Sequence, residues 1–187
     1  MTNAFALLGL PRAAALDPDA LQQAWLAASR AAHPDQPGGD ATEAAEINAA
    51  HETLLSPEKR LKHLLDLHQT PWRAIPIDDT MMAIFNQLGP LLQSVAGLLK
   101  RRQTAASALA KALLAPEEMR LREQLEELGM QLEAQRSPIL ETLPALDAGL
   151  AAGDGTTLTE LQAMQAKLSY LAKWQAQVRE SLLGLLG

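Results

Sequence analysis

The sequence contains no cysteine, so this chain itself can form neither disulfide bonds nor thiolate zinc sites, nor can it hold an iron-sulfur cluster through cysteine. Aromatic residues make up only 3% of the 187 residues, whereas alanine and leucine recur throughout. Strand-favouring residues are therefore scarce and helix formers dominate. The composition predicts an all-α protein whose 48% of hydrophobic residues suffice for two small domains.

The chain also lacks a basic stripe and a long apolar run. Its formal net charge is -6 and is spread evenly, so we expect no nucleic-acid partner. No uninterrupted apolar run reaches the roughly 18 residues needed to span a bilayer, and the N-terminal "MTNAFALLGLPR" lacks signal-peptide features. We therefore expect a soluble, unprocessed, cytoplasmic protein without a membrane partner.

Motifs of enzymes and metal sites are missing as well. The phosphate-loop pattern, G-x-G-x-x-G, G-x-S-x-G and H-E-x-x-H are all absent. The four histidines do not share ligand spacing: His63 and His68 are five residues apart, which is about 500° of rotation around a helix. The sequence thus predicts that the chain is no enzyme and holds no metal and no cofactor.

Start and stop signals predict four short helices in the first seventy residues. An apolar cluster from Phe5 to Leu10 forms the first, and Asp17 with Pro18 starts the second. The second helix should end at His33, because the ring of Pro34 disfavours the α conformation in the residue before it.

After a glycine turn, Asp40 or Thr42 can cap the third helix, and Ser56 with Pro57 opens the fourth. The second and third helices then form an antiparallel pair.

Beyond the first seventy residues the helical pattern becomes longer. The segment "HQTPWRAIPIDDT" breaks periodicity, which predicts a domain at 1–70, a linker at 71–77 and a helical bundle at 78–187. Within the bundle, separate helices are expected to begin at Pro116, at Ser137-Pro138 and near Leu158, where Thr157 and Glu160 have capping-box spacing.

The last helix carries a coiled-coil-like seam that must bury itself. Its residues are Leu161, Met164, Leu168, Leu171, Val178, Leu182 and Leu185. A bundle of three or four helices would cover the seam, and a homodimer through this helix is the alternative.

The tripeptide His33-Pro34-Asp35 joins the predicted helical pair. By itself it is a helix end followed by a turn. In its context, however, it resembles the J-domain, because a short apolar helix and a capped helix precede it, while a glycine turn, "INAAHETL" and "SPEKR" follow. The resemblance implies that this loop stimulates ATP hydrolysis by a 70-kDa heat-shock-type chaperone.

The chemistry of the tripeptide suits a protein contact. Pro34 fixes φ and lowers the entropy lost on docking, and Asp35 offers a carboxylate to a partner guanidinium. His33 can donate and accept hydrogen bonds. Arg30 is the base on the second helix, and we assign it to the chaperone-binding surface with the tripeptide.

The segment "SPEKRLKHLLDLHQTPW" further resembles the close of the J-domain in the HscB-type iron-sulfur co-chaperones. Its matching residues are Arg60, His63, Leu64, Leu65 and Leu67. The segments "DDTMMAIFNQL", "LREQLEEL" and "LSYLAKWQAQVRESL" resemble helices of that family's C-terminal bundle, with residues 89–115 as an apparent insertion.

In that family an exposed apolar patch of the bundle binds the cluster scaffold protein. Met81, Met82 and Phe85 are the matching positions here, although methionines at helical spacing are equally typical of a buried core. The resemblance thus implies a co-chaperone that delivers a client, an iron-sulfur scaffold, to the chaperone. A J-domain adaptor for a different client and a structural helical dimer without chaperone activity remain the alternatives.

Overall fold

The computed structural model describes residues 2–32 and 40–186, and all regular structure within these ranges is α-helical. The helices are α1 (Ala4–Leu7), α2 (Pro18–Ala31), α3 (Ala41–Leu55), α4 (Pro57–Leu67), α5 (Asp79–Thr104), α6 (Ala108–Ala112), α7 (Ala115–Ala151) and α8 (Gly155–Leu186). The predicted all-α class is confirmed.

Most helix starts carry a side-chain cap that accepts a backbone N–H. The capping residues are Asn3, Asp17, Asp40, Asp78, Ser107 and Asp154. Of the two residues proposed to cap α3, Asp40 and Thr42, Asp40 is therefore the cap. The predicted capping box at Thr157 is wrong: Asp154 caps α8, and Thr157 lies in its first turn, where it donates N–H and hydroxyl bonds of 2.8 Å to Asp154.

Helix α7 continues without interruption through Ser137 and Pro138, so the separate helix predicted to begin there is wrong. Pro138 has no N–H for the carbonyl of Ala134, four residues earlier. Because Ala134 is exposed, water can solvate that carbonyl and the helix can continue. Helix α5 similarly continues through Pro90, from the "MMAIF" segment to Thr104.

The chain forms two compact packing units. One consists of Met1–Ala74 and Ile139–Ser169, and the other of Ile75–Pro138 and Tyr170–Gly187. Helices α7 and α8 thus each contribute residues to both units. The segment 139–169 packs with the N-terminal residues, whereas the domain boundaries at 1–70, 71–77 and 78–187 stay a prediction.

The core of the first unit combines the N-terminal helices with the loop-proximal parts of α7 and α8. Its buried residues are Ala4, Phe5, Leu8, Ala14, Leu21, Ala32, Ile47, Ala50, Leu54, Leu61, Leu64, Leu65, Leu143, Leu150, Leu161 and Leu168. Helix α3 contacts α1, α2 and α4. It is therefore the central element of the N-terminal helices.

The buried guanidinium of Arg60 forms hydrogen bonds that anchor the loop between α1 and α2 to α4 and to the end of α3. Arg60 on α4 donates from Nε to the carbonyl of Ala14 at 2.9 Å and from Nη1 to the carbonyl of Leu54 at 2.6 Å. The N–H of the same Ala14 donates to Asp147 of α7 at 2.6 Å. Burial lowers the pKa of Arg60, and the carboxylates of Asp147 and Glu58 oppose that change.

A buried histidine anchors α1 in the same unit. The Nε2 atom of His63 accepts the N–H of Ala4 at 3.0 Å, and its ring stacks on Phe5 with 5.8 Å between centroids. An imidazole that accepts at Nε2 is neutral and carries its proton on Nδ1. His63 is therefore an uncharged acceptor for one of the orphan N–H groups at the start of α1.

The free energy of unfolding should decrease when His63 can be protonated. Burial, chiefly, lowers the pKa of His63 below its ordinary value of 6.5; Arg12 and Lys62 lower it too, and Asp66 raises it. Well above pH 6.5 the imidazole is neutral in both the folded and the unfolded state, and the full stability is present. Below it, the unfolded chain takes up the proton first, so stability falls towards the folded-state pKa.

The measurement is urea unfolding at pH values on either side of 6.5, with His63→Gln as the control. Glutamine does not titrate but can still accept the Ala4 N–H, so the variant should lose less stability on acidification. Equal losses for the two chains would contradict this account.

The second unit is a bundle of α5, α6 and the remaining parts of α7 and α8. Its buried apolar residues are Met81, Ile84, Leu88, Val95, Leu98, Leu121, Leu125, Leu128, Leu132, Leu171, Trp174, Val178 and Leu185. Between α7 and α8, the amide of Gln175 donates to the carboxylate of Glu133 at 2.9 Å.

The seam predicted on the last helix is covered within this chain. Leu161 and Leu168 are buried in the first unit, and Leu171, Val178 and Leu185 in the second. Pairing this seam with a second copy would require these side chains to leave their cores. These five seam residues are therefore not available for a homodimer through α8, and such a dimer stays a prediction.

Helix α5 is long and apolar enough to cross a membrane by length and composition alone, a test that buried helices of soluble proteins also pass. Five of its residues are buried: Met81, Ile84, Leu88, Val95 and Leu98. Helix α5 thus has one buried apolar face, although only 22% of its most apolar window is buried, and the absence of a membrane partner stays a prediction.

Candidate functional site

Helices α2 and α3 form a hairpin that is held together near its middle by one aromatic residue. The indole N–H of Trp25 donates to Asn48 Oδ1 at 2.9 Å, and its ring stacks on His51 with 4.5 Å between centroids. The alanines that face this interface, among them Ala28 and the buried Ala32, allow close approach of the helices. The hairpin is therefore a well-packed support for the segment that joins its two helices.

That segment holds the tripeptide predicted to bind a chaperone. His33, Pro34 and Asp35 lie outside the described residues, which end at Ala32 and resume at Asp40. Arg30 is exposed in the last turn of α2, where a positive charge complements the helix dipole. The chaperone-binding roles of these four residues stay predictions.

The three residues predicted to bind a client differ in exposure. Met81 is only 2% exposed and belongs to the bundle core, as the alternative of a buried core methionine predicted. Met82 is 43% exposed and Phe85 52% exposed. Met81 therefore cannot form part of an exposed patch, whereas Met82 and Phe85 are accessible on α5.

Two aromatic residues of α8 that the sequence reasoning did not select extend this surface. Trp174 is buried, and its ring centroid lies 6.0 Å from that of Phe85 and 5.8 Å from that of Tyr170. Tyr170 itself is 39% exposed. We call Met82, Phe85 and Tyr170, supported by Trp174, the aromatic patch.

The aromatic patch combines exposed apolar area with a rigid base. Aromatic rings supply large contact areas at a low entropic cost and are enriched in binding hot spots. One signal for Tyr170 was present in the sequence, because it is the only tyrosine of the chain and lies four residues before Trp174.

The described part of the chain contains no group of three or more histidine, aspartate or glutamate side chains positioned to hold a metal ion. The described residues of the candidate site therefore form surfaces suited to contact with other proteins. They offer apolar and aromatic area on the bundle and a helical hairpin with a basic side chain in the other unit.

Comparison with known proteins identifies the fold. No protein-family model matches the sequence. The chain is similar to the co-chaperone protein HscB homolog of Chromobacterium violaceum, with 39% identity over 71 residues, which are 34% of this chain and 41% of that relative. The solved structure of chaperone HscB from Vibrio cholerae superposes with a TM-score of 0.60 at 24% identity and covers 96% of each chain.

The chain has the HscB fold. The predicted resemblance to HscB-type co-chaperones is therefore confirmed, in sequence over the matched part and in fold over nearly the whole chain. The sequence match spans well under two thirds of the length of the HscB homolog, so it does not carry that protein's activity or partners over to this chain.

Proposed function

We propose that this chain is a J-type co-chaperone that stimulates the ATPase of a 70-kDa heat-shock-type chaperone and delivers an iron-sulfur scaffold protein to it. The observation that carries the proposal is the HscB-like fold over 96% of the chain, together with a His-Pro-Asp sequence between the two helices of its hairpin. In this proposal the partner hydrolyses ATP, and the chain itself is an adaptor.

The hairpin suits this role because its helices are fixed relative to each other by the Trp25 contacts. A fixed support lowers the ordering entropy that docking must overcome. Asp35 would accept a bidentate bond from a guanidinium of the chaperone, and Arg30 would contact a carboxylate. The chain would then shift the chaperone towards its hydrolysing conformation.

The aromatic patch is the proposed client-binding surface. Met82, Phe85 and Tyr170 would contact an apolar surface of the scaffold, while Met81 would act only through the packing of α5. Trp174 would keep Phe85 and Tyr170 in place, since its ring contacts both.

Adding the protein to the 70-kDa chaperone of the same cell should raise the steady-state ATPase rate several-fold, and Asp35→Asn should return it to the basal rate. The substitution keeps size and polarity but removes the charge that a guanidinium requires. The matched control is Asp19→Asn, an exposed residue in the first turn of α2, which should stimulate normally.

Circular dichroism should show equal helicity for the three proteins. An absence of stimulation by the unaltered chain with every chaperone of that cell, or full stimulation by Asp35→Asn, would contradict the proposed mechanism.

Titration calorimetry with a purified scaffold protein should show binding that Phe85→Ala weakens by at least about tenfold, a loss typical of an aromatic hot spot. Leu113→Ala is the control, because Leu113 is 73% exposed in the same unit but lies beyond the far end of α5. Equal affinities for the two variants would move the client surface elsewhere on the chain.

A further inference from the structure

One end of the second unit exposes a group of leucines that neither the chaperone nor the client proposal uses. Leu109 and Leu113 lie one turn apart in and just after α6, and they are 72% and 73% exposed. Met119, at the start of α7, is 65% exposed. Leu183 and Leu186, in the last turn of α8, are 62% and 67% exposed.

Polar contacts hold these segments together at the same end. Arg101 at the end of α5 pairs with Glu117, and Arg102 pairs with Glu118 at 3.5 Å. Arg102 also donates to the carbonyl of Leu185 at 2.9 Å. The C-terminal ends of α5 and α8 and the N-terminal end of α7 therefore meet, and α6 lies in the chain between the ends of α5 and α7.

The charge of this end departs from the even distribution expected from the sequence. Residues 100–120 contain five bases (Lys100, Arg101, Arg102, Lys111 and Arg120) and two acids (Glu117 and Glu118), so their sum is 5 minus 2, or +3. The whole chain has a formal net charge of -6. We call residues 100–120 together with Leu183 and Leu186 the basic tip.

We propose that the basic tip binds an anionic lipid surface peripherally. Its exposed leucines would enter the boundary between headgroups and acyl chains, and the exposed bases Lys100, Lys111 and Arg120 would contact the lipid phosphates and carboxylates. Lys111 lies in α6 two residues from Leu109, and Leu113 follows as the C-cap, so Lys111 points away from both leucines.

A lipid surface fits this tip better than an acidic protein segment does. An amphipathic helical segment of a protein docks its apolar face into a groove, and the leucines of the basic tip are instead more than 60% exposed. A bilayer can accept such projecting side chains without a complementary shape. The expectation of no membrane partner was based on the lack of a membrane-spanning segment. The contact proposed here is peripheral and requires no such segment.

Sedimentation with vesicles tests this proposal on the full chain. Vesicles of phosphatidylcholine with phosphatidylserine should bind the protein, and vesicles of phosphatidylcholine alone should not. Leu109→Ser with Leu113→Ser should weaken the binding on the order of tenfold, since both leucines lose their apolar contact. Lys100→Gln and Lys111→Gln should each weaken it about fivefold at low salt.

Met130→Ser is the matched control for the leucine variants. Met130 is 68% exposed in the same unit but lies about 16 Å along α7 from Met119, so its replacement should leave vesicle binding unchanged.

Three outcomes would overturn the proposal. One is equal binding to vesicles with and without phosphatidylserine, or binding to neither. Another is salt-sensitive binding to polyglutamate without binding to vesicles, which would assign the tip to an acidic protein. The third is a doubled mass in light scattering that returns to a monomer in the Leu109→Ser, Leu113→Ser chain, which would assign it to a second copy. None of these outcomes depends on ATPase stimulation, so the proposed function is tested separately.

Discussion

Replacing Arg60 with alanine should lower the free energy of unfolding by about 3–5 kcal/mol. The side chain is only 7% exposed, and its removal leaves the carbonyls of Ala14 and Leu54 without their donors. The nearby carboxylate of Asp147 would also lose the positive charge that compensates it. Urea unfolding followed by circular dichroism measures the effect.

Arg60→Lys should recover only part of this loss. A lysine is a single charged group and cannot donate to two separated carbonyls in the geometry of a guanidinium. Arg12→Ala is the surface control, since Arg12 is exposed, and its effect should stay within about 0.5 kcal/mol. If Arg60→Ala were as mild as Arg12→Ala, the proposed anchoring of the Ala14 loop would be wrong.

Replacing Trp174 with alanine should be similarly severe, with about 3–5 kcal/mol lost from the stability of the second unit. Trp174 is 4% exposed and contacts the rings of both Phe85 and Tyr170. The substitution opens a cavity beneath the aromatic patch, so scaffold binding should also weaken. Thermal unfolding and titration calorimetry on the same preparation separate the two effects.

The chain offers a close control for this prediction. Trp72 is 84% exposed, and Trp72→Ala should change stability by no more than about 0.5 kcal/mol and leave scaffold affinity unaltered. Trp174→Phe keeps a ring and should retain most of the affinity. Normal stability of Trp174→Ala would show that the residue does not support the patch.

Local signals predicted much of this fold because they depend on neighbouring residues only. Asp17 with Pro18, and Ser56 with Pro57, mark helix starts that the structure contains. The continuation of α7 through Pro138 was not predicted, because it depends on packing with residues that are distant in sequence. Pro138 removes one hydrogen bond of α7, but the buried Leu132 and Leu143 on either side of it favour the continued helix.

The aromatic patch was only partly predictable. Composition cannot distinguish Met81 from Met82, since they are identical neighbours, but helical phase can. Met81 lies three residues before Ile84 and therefore shares its buried face, whereas Met82 is rotated by about 100°. The contact of Trp174 with Phe85 joins positions 89 residues apart, and only the packed bundle brings them together.

The segment 139–169 supplies Leu143, Leu150, Leu161 and Leu168 to the core that also contains Phe5 and Leu54. An excised fragment that stops near residue 74 would leave that interior open to water and would lose Asp147 as well. The N-terminal helices of this chain are thus not an independent module. A fusion that transfers them to another protein would also need the helical hairpin at 139–169, which lies more than sixty residues downstream.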